Sequence, residues 1–92
     1  MIVSFRDAAT ESLARGQRVK GFVAFEAVAR RKLRQLEIAS RLTDLSIPPG
    51  NRLEALRGDR AGQYSIRIND QYRICFRWTP SGPEAVEIVD YH

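Results

Sequence analysis

The spacing of apolar residues divides the chain into a helical first half and a strand-forming second half. Residues 2–5 predict a short strand. Asp7 is a suitable N-cap and Gly16 a suitable end, so a first helix is predicted over residues 7–15. A longer helix is predicted over residues 22–41, because apolar side chains recur there at helical spacing, namely Phe22, Phe25, Ala29, Leu33 and Leu36.

After an irregular stretch at residues 43–51, the apolar period changes to two, which is typical of strands. The predicted strands are residues 53–57, 64–68, 72–78 and 85–89, separated by turns at residues 58–62, 69–70 and 79–83. The sequence therefore predicts one domain over residues 1–92 with the element order β-α-α-β-β-β-β. Its class is α+β, with the two N-terminal helices packed on one face of a mainly antiparallel sheet.

The charge of the chain points to a nucleic-acid partner. Its formal net charge is +4, and of its 15 basic residues only Lys20 and Lys32 are lysines. Arginine binds phosphate through a planar fork of donors and stacks on bases, so a small arginine-rich domain favours nucleic acid. A GC-rich genome would also account for the ratio of arginine to lysine, but not for the net charge.

The polar positions of the two central strands extend this interpretation. If the apolar residues face the helices, Ser65, Arg67, Arg73 and Arg77 point to the opposite, open face of the sheet. Arginines on that face would form a cationic surface for an RNA backbone. A second basic stripe lies on the long helix, at Arg30, Arg34 and Arg41. It is explained most simply as a solvated face, and alternatively as a docking surface for nucleic acid or an acidic protein.

Several classes of site are excluded by composition. Cys75 is the only cysteine, so an intramolecular disulfide is impossible, and its strand position predicts a buried small hydrophobe. One histidine and one cysteine cannot build a zinc site, and no cofactor motif is present. The first residues do not resemble a signal peptide and no apolar run is long enough to span a membrane, so we expect a cytoplasmic protein.

The chain closes on Asp90, Tyr91 and His92, directly after the last apolar run. His92 is the only histidine, and imidazole is the side chain whose ordinary pKa lies near neutrality. A carboxylate, a phenol and an imidazole at the end of a strand are able to form the proton-transfer part of an active site. The alternative interpretation is an ordinary end of an edge strand.

Three segments together resemble one family, the HigB toxins of the RelE/ParE toxin superfamily. They are residues 53–60 (LEALRGDR), residues 64–66 running to 72–76 (YSI to YRICF), and the terminal Asp90, Tyr91 and His92. The resemblance covers almost the whole chain and is specific as a set. It implies a RelE-like fold and the toxin of a type II toxin–antitoxin pair. The implied activity is ribosome-dependent, metal-independent cleavage of mRNA in the ribosomal A site, which makes the protein an endoribonuclease that inhibits translation.

The resemblance also implies partners and site residues. The partners are a helix-turn-helix antitoxin of the HigA kind, the ribosome and mRNA, with operator DNA bound only through the antitoxin, no membrane and no cofactor. In this reaction the ribose 2′-OH attacks the adjacent phosphate and the 5′-oxygen leaves, which calls for a base, cations and an acid. The implied catalytic residues are His92, Tyr91, Asp90, Arg73 and Glu54, and the implied RNA-binding residues are Arg57, Arg67 and Arg77.

Glu54 departs from the family pattern, which has a histidine at this position. Glu54 could serve as the base, could hold Arg57 or Arg73 by an ion pair, or could be the result of simple drift, with reduced activity. Two other functions stay open. One is a ParE-like toxin that inhibits DNA gyrase by binding, because one fold supports both activities. The other is a catalytically weakened RNA-binding or co-repressor relative.

Overall fold

The computed structural model describes residues 1–90, so Tyr91 and His92 lie outside the described residues. The described part contains helices α1 (Ala8–Ala14) and α2 (Glu26–Ile38) and strands β1 (Glu54–Ala55), β2 (Tyr64–Arg67), β3 (Tyr72–Thr79) and β4 (Gly82–Asp90). Short 3-10 turns occupy Lys20–Phe25, Leu42–Ser46, Pro49–Asn51 and Gly58–Arg60. This confirms the predicted α+β class.

The four strands form an antiparallel sheet in the order β1-β2-β3-β4. Its register shifts between Cys75 and Arg77 on β3, opposite a stretch of β4 in which Ala85 has a positive φ of 51°. An extra residue on one strand of a pair bends that strand and strengthens its twist. The end of β4, up to Asp90, is therefore re-aimed relative to its beginning.

Helix α1 forms as predicted. The Asp7 carboxylate accepts a hydrogen bond from the Thr10 N–H at 3.3 Å, which satisfies a donor of the first turn. The backbone leaves the helix through Gly16, whose φ is 89°, a conformation that costs glycine little. Leu13 is fully buried against the core, so the short helix is fixed to the domain by packing.

The second helix is shorter than the predicted range of residues 22–41. Residues 20–25 form a 3-10 turn before it, and the helix ends at Ile38 because Ala39 is extended. The Asp44 carboxylate accepts hydrogen bonds from the N–H groups of Ser40 and Arg41, each at 3.0 Å. These bonds cap the next 3-10 turn and replace the bonds that would have continued the helix.

The predicted N-terminal strand is reduced to one isolated parallel bridge between Phe5 and Val86. The segment still lies along β4, since the Val3 N–H donates to the Pro83 carbonyl at 2.7 Å. The positive φ of Ala85 bends β4 at this point, which prevents a regular ladder. A Cβ atom on Gly82 would stand 2.1 Å from the Met1 carbonyl oxygen, so only glycine allows this close approach.

The hydrophobic core lies between the helices and one face of the sheet. The helices contribute Leu13, Ala29, Leu33 and Leu36, and the 3-10 turn Lys20–Phe25 contributes Phe25. The sheet contributes Ile66, Ile74, Phe76 and Val86. The rings of Phe25 and Tyr72 are 4.4 Å apart, which joins the start of α2 to β3. The apolar face of the sheet is thus covered as predicted, and the polar face carries the candidate site. Within residues 1–90, no helix is long and apolar enough to cross a membrane.

Candidate active site on the polar face of the sheet

A row of polar and small residues crosses the second face of the sheet. Glu54, Ser65, Cys75 and Glu87 stand opposite one another on successive strands. A carboxylate lies at each end of this row, and the two middle residues are fully buried. Paired residues on adjacent strands share a face, so their neighbours in the same row are within contact distance. Negative charge therefore lies at both ends of the row, and an arginine lies beside each carboxylate, Arg73 at Glu54 and Arg60 at Glu87.

Arg73 is the most firmly held of these arginines. Its Nε donates to the Ser65 hydroxyl at 2.8 Å, and its Nη2 donates to the Arg52 carbonyl at 2.7 Å. Only 13% of its side chain is exposed. The prediction of an open face is therefore wrong at Ser65, which is fully buried and bound by Arg73, and at Arg73, whose guanidinium is bound by the Arg52 carbonyl.

Glu54 lies beside Arg73, with 3.8 Å between its Oε1 and Nη2 of the arginine. Half of the Glu54 side chain is exposed, and the distance is that of an ion pair without a short hydrogen bond. The structure thus brings Glu54 and Arg73 together, which is what the ion-pair interpretation of Glu54 requires. Ser65 and the Arg52 carbonyl are nevertheless the closer partners of Arg73.

The other end of the row is held by a second ion pair, between Arg60 and Glu87. Nη1 of Arg60 is 2.8 Å from Oε1 of Glu87 and 3.1 Å from the Gln63 amide oxygen, and Arg6 approaches Glu87 at 3.6 Å. This network fixes the turn Gly58–Arg60 over the sheet. Sequence reasoning missed Glu87, although its alternation with buried Val86 in the last apolar run placed it on the polar face.

The predicted RNA-binding arginines surround this row at different positions. Arg67 stands opposite Arg73 in the sheet and is paired with Asp70 at the hairpin tip. Arg57 is exposed at the start of the turn Gly58–Arg60. Arg77 is exposed, and its guanidinium packs against Gly62. A Cβ atom at Gly62 would stand 2.9 Å from Nη1 of Arg77. Arg67 and Arg73 are therefore brought together, and the other two flank them.

Of the predicted proton-transfer residues, the structure describes Asp90, which is the last residue of β4. Asp90 stands opposite Tyr72, one position beyond the pair formed by Arg73 and Val89, and its carboxylate accepts a hydrogen bond from the Gln71 amide at 3.0 Å. Because opposite residues share a face, the register places Asp90 on the side of the sheet where Tyr72 packs against Phe25, and not on the polar face with Arg73. Tyr91 and His92 lie outside the described residues.

Comparison with known proteins identifies the family. The model of the HigB-like toxin family, the RelE-like toxin of the type II toxin–antitoxin system HigB, matches residues 6–92. The chain belongs to the HigB-like toxin family. The family predicted from three sequence segments is thereby confirmed.

Two curated relatives support this assignment. Toxin HigB-1 of Vibrio cholerae is 54% identical to this HigB-like toxin over 48 residues, which are 52% of the chain and 50% of the relative. An uncharacterized protein of Haemophilus influenzae is 39% identical over 51 residues, 55% of the chain and 50% of the relative. The chain thus matches about half the length of each curated relative.

A solved structure supports the fold. The YoeB/ParE toxin from Agrobacterium tumefaciens superposes with a TM-score of 0.56 at 20% identity, covering 99% of this chain and 98% of that one. At this identity the likeness concerns the fold alone. It agrees with the RelE-like architecture expected of a HigB-like toxin.

The thiol at the centre of the row is not suited to nucleophilic chemistry. Cys75 is fully buried, as predicted, and burial raises the pKa of its thiol, since a thiolate would be poorly solvated there. Among residues 1–90, no three His, Cys, Asp or Glu side chains are grouped so that they could hold a metal ion. Within residues 1–90, the polar face of the sheet offers arginines, two carboxylates and the Ser65 hydroxyl.

Proposed function

We propose that this HigB-like toxin is a ribosome-dependent, metal-independent endoribonuclease that cuts mRNA in the ribosomal A site and so inhibits translation. The single observation that carries the proposal is the fixed guanidinium of Arg73 on the polar face of the sheet, beside Arg67. Attack of a 2′-OH on a phosphate builds negative charge on the phosphoryl oxygens. A pre-positioned arginine stabilises that charge without a cost of reorganisation during the reaction.

In the proposed mechanism, Arg73 contacts the scissile phosphate. The exposed arginines Arg57 and Arg77, together with Arg67, bind the neighbouring RNA backbone by charge attraction. Glu54 neutralises part of the charge of Arg73.

Proton transfer is assigned by family resemblance to the terminal residues Asp90, Tyr91 and His92. An imidazole exchanges protons near pH 7, so His92 is the best candidate acid for the leaving 5′-oxygen. Positioning by the ribosome would supply the substrate alignment that a small site with weak proton-transfer groups lacks.

The proposed antitoxin is a helix-turn-helix protein of the HigA kind, and operator DNA would be bound only through it. The toxin has a net charge of +4, which suits an acidic surface on the antitoxin as well as RNA. The proposal places both the ribosome and mRNA among the partners, and it requires no cofactor.

The decisive experiment is induced expression of the toxin without antitoxin, followed by mapping of mRNA 5′ ends and by in vitro cleavage. We expect new 5′ ends at in-frame positions of translated messages. Purified toxin should cut mRNA on ribosomes and leave protein-free RNA largely intact. Equal cleavage of naked and ribosome-bound message would contradict the mechanism. Growth arrest with intact mRNA and trapped gyrase–DNA complexes would instead indicate a ParE-like inhibitor. Intact mRNA without growth arrest would indicate a co-repressor.

A further inference from the structure

The hydroxyl of Ser65 is the buried anchor of Arg73. Ser65 lies on β2 diagonally across from Arg73 on β3, since it pairs with Cys75 while Arg67 pairs with Arg73. The serine is fully buried, and its Oγ accepts from Nε of Arg73 at 2.8 Å. A buried hydroxyl is costly unless it is hydrogen-bonded. The Ser65 hydroxyl is therefore committed to one position, and so is the guanidinium edge that it contacts.

A second anchor holds the other end of the same guanidinium. The Arg52 carbonyl accepts from Nη2 of Arg73 at 2.7 Å. Arg52 adopts a left-handed backbone conformation, with φ 48° and ψ 53°, at the end of the turn Pro49–Asn51. That turn is held by the buried side chain of Asn51, which donates to the carbonyls of Leu45 at 3.0 Å and Ile47 at 3.3 Å. The carbonyl is thus fixed by a loop that the buried Asn51 side chain holds in place.

Two anchors at Nε and Nη2 determine the plane of the guanidinium. A single hydrogen bond would allow rotation about the bonded atom, whereas two bonds at different nitrogens leave one orientation. Glu54 cannot do this, because it is half exposed and 3.8 Å from Nη2. Phosphoryl charge is stabilised only when the donors point to where the charge develops, so the orientation of this plane affects turnover.

We propose that Ser65 is a positioning residue, which acts through Arg73 and not on the substrate, and fixes the arginine for contact with the scissile phosphate. This inference rests on the proposed function, mRNA cleavage with Arg73 at the phosphate. The addition is that the buried Ser65 hydroxyl on β2 controls the cleavage rate through the orientation of Arg73. Its physical basis is that a displacement of about 1 Å at a reacting group costs about a hundredfold in rate.

The test is a double-mutant cycle measured by single-turnover cleavage of ribosome-bound mRNA. The four proteins are wild type, Ser65→Ala, Arg73→Ala and the double variant, each first shown to be folded by circular dichroism and thermal melting. Ser65→Ala is expected to lower the single-turnover cleavage rate at saturating toxin by about tenfold to a hundredfold, because the arginine remains but loses its orientation. The toxin concentration that gives half of this rate should change little. In the Arg73→Ala background, the same change should cost less than about twofold, because residues that act as a unit are not additive.

The matched control is Thr10→Val. Thr10 is also fully buried, and its hydroxyl oxygen accepts from the Ile88 N–H at 3.0 Å, with no arginine involved. Its loss should lower the melting temperature without changing the turnover of the folded protein. If Ser65→Ala behaves like this control, or if its loss is equally large in the Arg73→Ala background, Ser65 is only a structural residue and the inference fails. If wild-type toxin leaves ribosome-bound mRNA intact, the proposed function fails, and the inference fails with it.

Discussion

Glu54 is the position at which this chain departs from the family pattern, and the geometry predicts what Glu54→Gln does. The carboxylate is 3.8 Å from Nη2 of Arg73 and half exposed. Arg73 itself is held by Ser65 and by the Arg52 carbonyl at 2.8 and 2.7 Å. If Glu54 only assists this orientation, replacing it by an amide of the same shape removes a charge but not the two anchors.

The size of the expected effect follows from that contact. A half-exposed ion pair of this kind is worth at most about 1 kcal/mol, because solvent screens it. A loss of about 1 kcal/mol in transition-state stabilisation corresponds to about fivefold in rate. A general base contributes far more, about a hundredfold to ten-thousandfold. The rate loss expected for Glu54→Gln is therefore more than tenfold larger if Glu54 is the general base than if it only orients Arg73.

The assay is single-turnover cleavage of ribosome-bound mRNA by wild-type toxin and by the Glu54→Gln, Glu54→Ala and Glu54→His variants. Glu11→Gln is the matched control, because Glu11 is 40% exposed and paired with Arg15 on α1 at 2.7 Å. We expect the Gln variant to retain at least about a fifth of the wild-type rate. The control should retain all of it.

A loss of more than about a hundredfold in folded Glu54→Gln, with activity kept in Glu54→His, would refute the orienting role and establish Glu54 as the base. Equal activity in the Gln, Ala and His variants would show that the position does not contribute.

Five other substitutions or treatments have defined outcomes. Arg73→Ala should lower turnover by about tenfold to a thousandfold. Arg77→Ala, at an exposed position, should mainly change the salt dependence of cleavage. Equal small losses in the two variants would indicate a diffuse cationic surface. His92→Ala should abolish toxicity in a growth assay, and full toxicity would remove His92 from the site. Asn51→Ala should cost about 1–3 kcal/mol in denaturant unfolding, because buried carbonyls lose their donor. Cys75 should react slowly with iodoacetamide at pH 8 in the folded toxin and rapidly in denaturant, because burial raises the pKa of its thiol; rapid labelling of folded protein would contradict its burial.

Both the family and the division of the sheet into two faces were predictable from the chain. The period-two alternation at residues 64–68 and 72–78 placed Ile66, Ile74 and Phe76 on the helix side, and all three are fully buried there. The helix boundaries were less predictable. A carboxylate at Asp44 ends the second helical segment by binding the N–H groups of Ser40 and Arg41, and side-chain competition of this kind is invisible to periodicity.

The candidate site was predictable in its residue types but not in its connections. The sequence alone determined that arginines and serine share one face of the sheet, because alternation is a local property of an extended chain. It also determined the family, through motifs that lie far apart in the chain.

Only the tertiary structure decided that Ser65 is buried and that Arg73 is bound by the Arg52 carbonyl, which a turn folded around Asn51 brings to the sheet. It likewise decided that Glu87 pairs with Arg60, a contact between residues 27 positions apart. Such contacts depend on how loops close over a sheet. The physical reason is that loop closure is set by the packing of the whole domain, whereas apolar periodicity is set by neighbouring residues.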